Sequence, residues 1–133
     1  MRTFKDEEQA IFDKYPKLFR QVTLPMTETC MCWGLECGTG WYKIIDSMCA
    51  ELTEKYDGKL ELSQVKEKLG TLTVYFDIID DSVKSQEIWD LLSKYVQESS
   101  VTCEKCGNKA TTETINGWIC TLCDEHMLER KNR

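Results

Sequence analysis

Apolar residues recur at helical spacing in some stretches and at every second position in others, and this change of period lays out the chain. Trp41, Ile44, Ile45, Met48, Cys49, Leu52 and Tyr56 fall on one face of a helix. Thr39 or Gly40 caps its start, and Asp57-Gly58 stops it, with Gly58 placed as a left-handed C-terminal residue. Ile88, Leu91, Leu92, Tyr95 and Val96 mark another helix, opened by Asp80-Asp81-Ser82. A first helix from Phe4 has Thr3 as its N-cap and Asp6 three residues on. It carries Ile11, Phe12 and Tyr15 until Pro16 ends it, and Leu18 and Phe19 extend its apolar side.

Period two takes over elsewhere. Leu72, Val74, Phe76 and Ile78 alternate with Thr71, Thr73, Tyr75 and Asp77, the pattern of a half-buried strand. Leu60 and Leu62 begin a second strand that runs toward Lys66 and pairs antiparallel with the first through Glu67 to Gly70. Met31, Trp33 and Leu35 alternate with Cys32, Gly34 and Glu36, which predicts a further short strand after the linker from Thr23 to Thr29. The predicted fold class is α+β: helices packed on a small antiparallel sheet, with a zinc ribbon at the C-terminus.

The ribbon is predicted from four cysteines. Cys103, Cys106, Cys120 and Cys123 form two Cys-x2-Cys pairs thirteen residues apart. Zn2+ prefers soft thiolates in a tetrahedron, and a Cys-x2-Cys turn offers two sulfurs on one side of an ion. Between the pairs, strand-like runs at Thr112–Ile115 and Trp118–Leu122 are joined by Asn116-Gly117, a strong hairpin signal. Asp124 opens a short terminal helix through Met127 and Leu128. Residues 1–100 are expected to form the α+β domain and residues 101–133 the metal module, with Ser99-Ser100 as a hinge. So short a module buries too little core to fold alone, which makes the metal structural.

The alternative use of paired cysteines is a disulfide. The charged start Met1-Arg2-Thr3-Phe4-Lys5-Asp6-Glu7-Glu8 has no apolar leader, so a reducing, cytoplasmic location is expected and metal is favoured. No apolar run approaches the length of a membrane span. The net charge is −6, carried by residues 1–100 with 12 Lys/Arg against 18 Asp/Glu; residues 101–133 balance at 5 and 5. This distribution excludes strong non-specific nucleic-acid binding, which needs a basic face. It suits a basic partner, or a small anionic ligand held in a local pocket.

Three blocks stand in order: Met31-Cys32-Trp33-Gly34-Leu35-Glu36-Cys37-Gly38-Thr39-Gly40-Trp41, then Gln64-Val65-Lys66-Glu67-Lys68-Leu69-Gly70-Thr71-Leu72, then Cys103-Glu104-Lys105-Cys106-Gly107 with Gly117-Trp118 and Thr121-Leu122-Cys123. The chain resembles a group of small uncharacterised proteins encoded in bacteriophages and prophages. That group shares an E-C-G-x-G-W block, a V-K-E-K-[FL]-G block and a C-terminal Cys-x2-Cys pair. The resemblance covers most of residues 30–126. It implies a phage or prophage context, a host bacterial cell, and by analogy a host protein as partner or a role against host defence.

The candidate binding site is the first block with neighbouring lysines: Trp33, Glu36, Gly38, Thr39, Gly40, Trp41, Lys43, Lys66 and Lys68. Glycines let another molecule approach the backbone, and free N–H groups opening a helix favour an anion. The plainer reading is a tight turn whose Trp41 packs into its own core. Cys30, Cys32, Cys37 and Cys49 do not have zinc spacing, and Cys49 reads as core. An enzyme built on Glu36, Cys37 and Asp46 would lack a base, because the one histidine, His126, lies in the metal module. His126 reads as a surface residue beside four sulfurs that already fill the tetrahedron, or as a replacement for one of them. A rival functional class is a nucleic-acid-binding zinc-ribbon regulator using Lys105, Lys109, Arg130, Lys131 and Arg133.

Overall fold

The structure, a computed structural model, describes residues 4–132; the proposed cap Thr3 and the basic residue Arg133 lie outside them. The first helix, α1 (Asp6–Lys14), starts with Lys5 as its cap residue, whose N–H donates to the Glu8 carboxylate at 3.3 Å. It ends before Pro16, as a proline requires. The same Glu8 is fully buried, and its other oxygen accepts the Leu35 N–H at 2.7 Å. That bond fixes β1 (Leu35–Glu36) against α1.

The main sheet runs in the order β1, β2 (Leu60–Lys68), β3 (Thr71–Ile78). β2 and β3 pair antiparallel, as the alternation predicts, around Leu69 (φ 53°) and Gly70 (φ 83°). Two successive positive φ values match the right-handed twist of a hairpin. β1 pairs parallel to β2, Leu35 opposite Val65, so the sheet is mixed rather than wholly antiparallel. The cause is the intervening helix α2 (Tyr42–Tyr56), which carries the chain back so that β2 starts at the same end as β1. The strand expected from Met31 is shorter than its alternation. Met31–Trp33 is a 3-10 turn: Thr29 Oγ1 accepts the Met31 N–H, and Gly34 at φ 76° redirects the chain.

α1, α2 and α3 (Ser85–Ser99) share one core with this sheet. Ile45, Met48, Leu52, Leu62, Val65 and Ile88 are fully buried there. Lys84, not Asp80, is the residue that precedes α3; Asp80 instead takes the Ser82 N–H in the turn before it.

The C-terminal module has a small core of its own, with Ala110, Ile115, Cys120, Leu122 and Met127. β4 (Thr111–Ile115) and β5 (Trp118–Leu122) form the expected hairpin, with Asn116 and Gly117 both at positive φ. α4 (Asp124–Lys131) follows. Ser99 is not a free hinge. It is fully buried, and its hydroxyl accepts the Leu72 N–H at 2.9 Å. Among the described residues, no helix is long and apolar enough to cross a membrane.

Candidate metal centre and the seam beneath it

Cys103 and Cys106 sit in a tight turn closed by a bond from the Gly107 N–H to the Cys103 carbonyl at 2.9 Å. Gly107 takes φ 83°, which lets both sulfurs point to one side. On the other side of the centre, Cys123 is the residue that caps α4, and His126 lies three residues on in the first turn. Positions three apart share a helix face. The two elements therefore aim four ligand atoms at one point. Those of Cys103, Cys106, Cys123 and His126 all lie within 4.8 Å of one another. His126 Nδ1 is 3.5 Å from Cys103 Sγ and 3.1 Å from Cys123 Sγ, and Cys106 Sγ is 3.7 Å from Cys123 Sγ. This set of three thiols and an imidazole can hold a metal ion.

Three of the four expected ligands are thus brought together, and Cys120 is outside the group; His126 stands in its place. The reason is local. Cys120 lies within β5, which continues to Leu122. Cys123 lies just beyond its end, where it caps α4. Cys120 instead joins the module's apolar core, and burial pushes its thiol above the ordinary value. The signal for His126 was in the sequence: Cys123-x2-His126 at the start of a helix.

The electrostatics differ between the two cysteines of the knuckle. Burial pushes the Cys103 thiol up, but backbone N–H groups of Cys123, Cys106 and Lys105 together outweigh it and hold the thiol down to about 6. At Cys106, the Asn108 N–H favours the thiolate, but burial and the neighbouring Cys103 and Cys123 outweigh it and raise the thiol. Thiolates at this spacing oppose one another's ionisation, and a divalent ion relieves that.

The Gly38–Trp41 segment lies directly against the knuckle. Gly40 donates its N–H to the Glu104 carbonyl at 2.7 Å, and Gly38 donates to the Glu104 carboxylate at 2.8 Å. The Trp41 indole N–H reaches the Thr102 carbonyl at 2.8 Å, and the ring is fully buried. A Cβ on Gly40 would overlap the carbonyl oxygens of Cys103 and Glu104. The second block meets the module too: Thr121 Oγ1 donates to the Gly70 carbonyl, and a Cβ on Gly70 would crowd Thr112, Ile119 and Thr121. Glu104 was invisible to sequence reading, since an acidic residue inside a knuckle has no distinguishing pattern.

These contacts divide the expected binding site. The N–H groups of Gly38 and Gly40, expected to face an anion, already face the protein's own carboxylate and carbonyl. Thr39 and Lys43 line a polar cleft of about 560 Å³ beside the exposed Cys106. Trp33 lies elsewhere, 48% exposed, on an apolar groove of about 580 Å³ with Val22, Leu24, Pro25 and Met26. Glu36 and Lys66 stand opposite each other across β1 and β2, with Glu36 accepting from Gln64 and Lys66 lying 5.8 Å from the Tyr75 ring. Lys68 is at the β2–β3 turn.

No second cysteine cluster forms among the described residues. Burial, with Glu104, Glu8 and Glu67 nearby, pushes the Cys37 thiol up to about 12, and burial likewise raises Cys49. Asp46 is engaged by the Tyr15 hydroxyl at 2.8 Å and the Lys14 ammonium at 3.0 Å. On the module surface Lys105 pairs with Glu129 and Lys131 with Glu113, each at 3.7 Å. Compared with known proteins, the chain matches no family model, no curated sequence and no solved structure.

Proposed function

We propose that the chain is a non-enzymatic, zinc-stabilised binding protein of phage or prophage origin that acts in the cytoplasm of the host cell and engages a host protein. The observation that carries the reading is the use of the one histidine. His126 Nδ1 lies against Cys103 and Cys123, which leaves no imidazole for base catalysis. Three thiolates and one imidazole suit zinc. Zn–S bonds of about 2.3 Å set the edges of a tetrahedron near 3.7 Å, which the Cys106–Cys123 separation equals. Four protein ligands leave no open coordination position, so the ion holds structure rather than activating water.

The recognition surface on this reading is the groove carrying Trp33, Leu24 and Met26, all exposed. Its size and apolar lining suit an inserted side chain or short segment of a protein. The −6 charge favours a partner with basic residues around that segment. Counteracting a host defence by occupying such a partner is the biological role proposed.

The test joins composition to capture. Freshly purified protein carries one zinc per chain, and immobilised protein retains a defined host protein from lysate. Trp33→Glu keeps the zinc and loses that protein. Absence of zinc, or equal retention by Trp33→Glu, defeats the reading.

A further inference from the structure

Of the eight cysteines only Cys30 and Cys106 are exposed. Cys106 is also the one exposed ligand of the metal centre: Cys103 is fully buried, Cys123 is 8% exposed and His126 is half-buried. The Cys103–Gly107 turn carries Cys106 to the polar cleft it shares with Thr39, Lys43 and Glu98. A molecule little larger than water reaches this sulfur from the cleft without passing through the core.

A second sulfur stands within reach of it. Cys106 Sγ is 3.7 Å from Cys123 Sγ, across the gap between the turn and the start of α4. Cys103 is less free to move. Its main chain is pinned on both sides, its N–H donating to the Asn108 carbonyl at 2.7 Å and its carbonyl accepting the Gly107 N–H at 2.9 Å. The other exposed thiol, Cys30, belongs to no such cluster among the described residues. The centre therefore offers an accessible thiol with a shielded one beside it, the pairing from which a disulfide forms after oxidation of the first.

We infer that Cys106 is a hydroperoxide-reactive site, at which oxidation joins Cys106 to Cys123 and frees the metal. The step rests on the centre holding zinc. The Cys106 thiolate, as nucleophile, attacks one peroxide oxygen and the O–O bond breaks. That oxygen stays on the sulfur as a sulfenic acid, and the other leaves as hydroxide. The Cys123 thiolate then attacks the Cys106 sulfur; the S–S bond forms, the S–O bond breaks and a second hydroxide leaves. Two solvent protons convert the hydroxides to water, so the sulfurs lose two electrons and the peroxide gains two. The sulfurs close from 3.7 Å to about 2.0 Å. Cys103 and His126 are then the ligands that remain, and two are too few to complete a tetrahedron. The turn that carries Glu104 loses its closure, and the bonds from Gly38 and Gly40 loosen with it.

The test treats zinc-loaded protein with hydrogen peroxide beside a chromophoric zinc indicator, then blocks free thiols and digests with trypsin. Cleavage after lysine and arginine puts Cys103 in peptide 95–105, Cys106 in 106–109, and Cys120 with Cys123 in 110–130. Peroxide is expected to release the zinc and to link peptide 106–109 to 110–130, in Cys120→Ala as in wild type. Dithiothreitol with added zinc restores the metal. Cys30→Ser leaves the release rate unchanged. Cys106→His keeps a fourth ligand without a thiol and slows release at least about tenfold. The linked peptide is read in wild type, so the pairing is decided even if Cys106→His holds zinc poorly. Protein without zinc before peroxide is added defeats the zinc reading, and this inference with it. Zinc that is present and stays bound under peroxide overturns this inference alone. So does release with Cys103 in the linked peptide, release that reductant does not reverse, release that Cys106→His does not slow, or release that Cys30→Ser abolishes.

Discussion

Gly40 and Glu104, sixty-four positions apart in sequence, are joined by a 2.7 Å bond from the glycine N–H to the glutamate carbonyl. Glu104 lies between the two knuckle cysteines, so this bond ties the metal turn to the start of α2. Its carboxylate takes the Gly38 N–H in the same contact. The site that reads as an anion nest in the sequence is filled from within the protein. Burial raises the Glu104 carboxyl above its ordinary value, and the Gly38 N–H offsets part of that by favouring the ionised form.

Gly40→Ala is therefore expected to damage the seam rather than a ligand site. The added methyl would meet the main chain of Cys103 and Glu104, which cannot swing aside as a side chain can. Overpacking of this kind costs about 1–3 kcal/mol. Thermal unfolding should fall by several degrees, and a chromophoric chelator should strip the metal faster than from wild type. A variant with unchanged midpoint and unchanged metal release would show that the seam has slack that the contacts do not reveal.

His126→Ala and Cys120→Ala separate the two possible ligand sets. The first should weaken metal binding by several orders of magnitude, since it removes one of four bonds to the ion. The second should keep one ion per chain and lose only packing in the module core, about 1 kcal/mol for a small buried side chain. Cobalt substitution gives an independent reading, because the intensity of the thiolate-to-metal bands scales with the number of sulfurs. Four-thiolate intensity in wild type that falls with Cys120→Ala would restore the all-cysteine site.

Most of the fold was legible because its signals are local. The period of Trp41 to Tyr56, the alternation of Leu72 to Ile78 and the Asn116-Gly117 turn each name their element without reference to the rest of the chain. The parallel pairing of β1 was not legible, since two residues have no period and their direction depends on where α2 returns. Of the four cysteines that the spacing names, Cys103, Cys106 and Cys123 converge, and they do so with His126. Spacing alone favoured Cys120, but spacing does not say which ligand atoms the fold turns toward one point, and Cys120 lies within β5 among the module's apolar core. Likewise the Gly38-Thr39-Gly40-Trp41 block announces a close approach to the backbone without naming what approaches. The visitor, Glu104, comes from the far end of the chain.

Removing the metal should loosen the seam as well as the module. Thr102 and Glu104 receive three bonds from the Gly38–Trp41 segment, and their positions depend on the knuckle being closed. Chelation at neutral pH is expected to speed amide exchange at Gly38, Gly40 and Trp41, along with the module. Val65, in the central strand β2, should stay protected because its core does not include the metal. Unchanged exchange at Gly40 in metal-free protein would mean that the knuckle holds its shape without the ion.

The acid limb of stability should report Glu51. This residue on α2 faces Lys55 and Lys94 and accepts the Tyr95 hydroxyl, so it ties α2 to α3. Hydrogen bonds from Lys55, Lys94 and Tyr95 hold its carboxyl down to about 2, from an ordinary value of 4.5. A carboxyl lowered in the folded state stabilises the protein above its unfolded value, and that stabilisation is lost as pH falls through the folded one. The contribution is thus complete above about pH 4.5 and drains away between there and about pH 2. Both lysines are more than half exposed, so water screens the pairs and the net effect is about 1 kcal/mol. Glu51→Gln should lower the unfolding midpoint at pH 7 by about 4 °C. The gap from wild type should narrow steadily below pH 4.5 and close near pH 2. Parallel midpoint curves across that interval, with the gap unchanged, would mean that Glu51 acts through its shape and its bond to Tyr95 rather than through its charge.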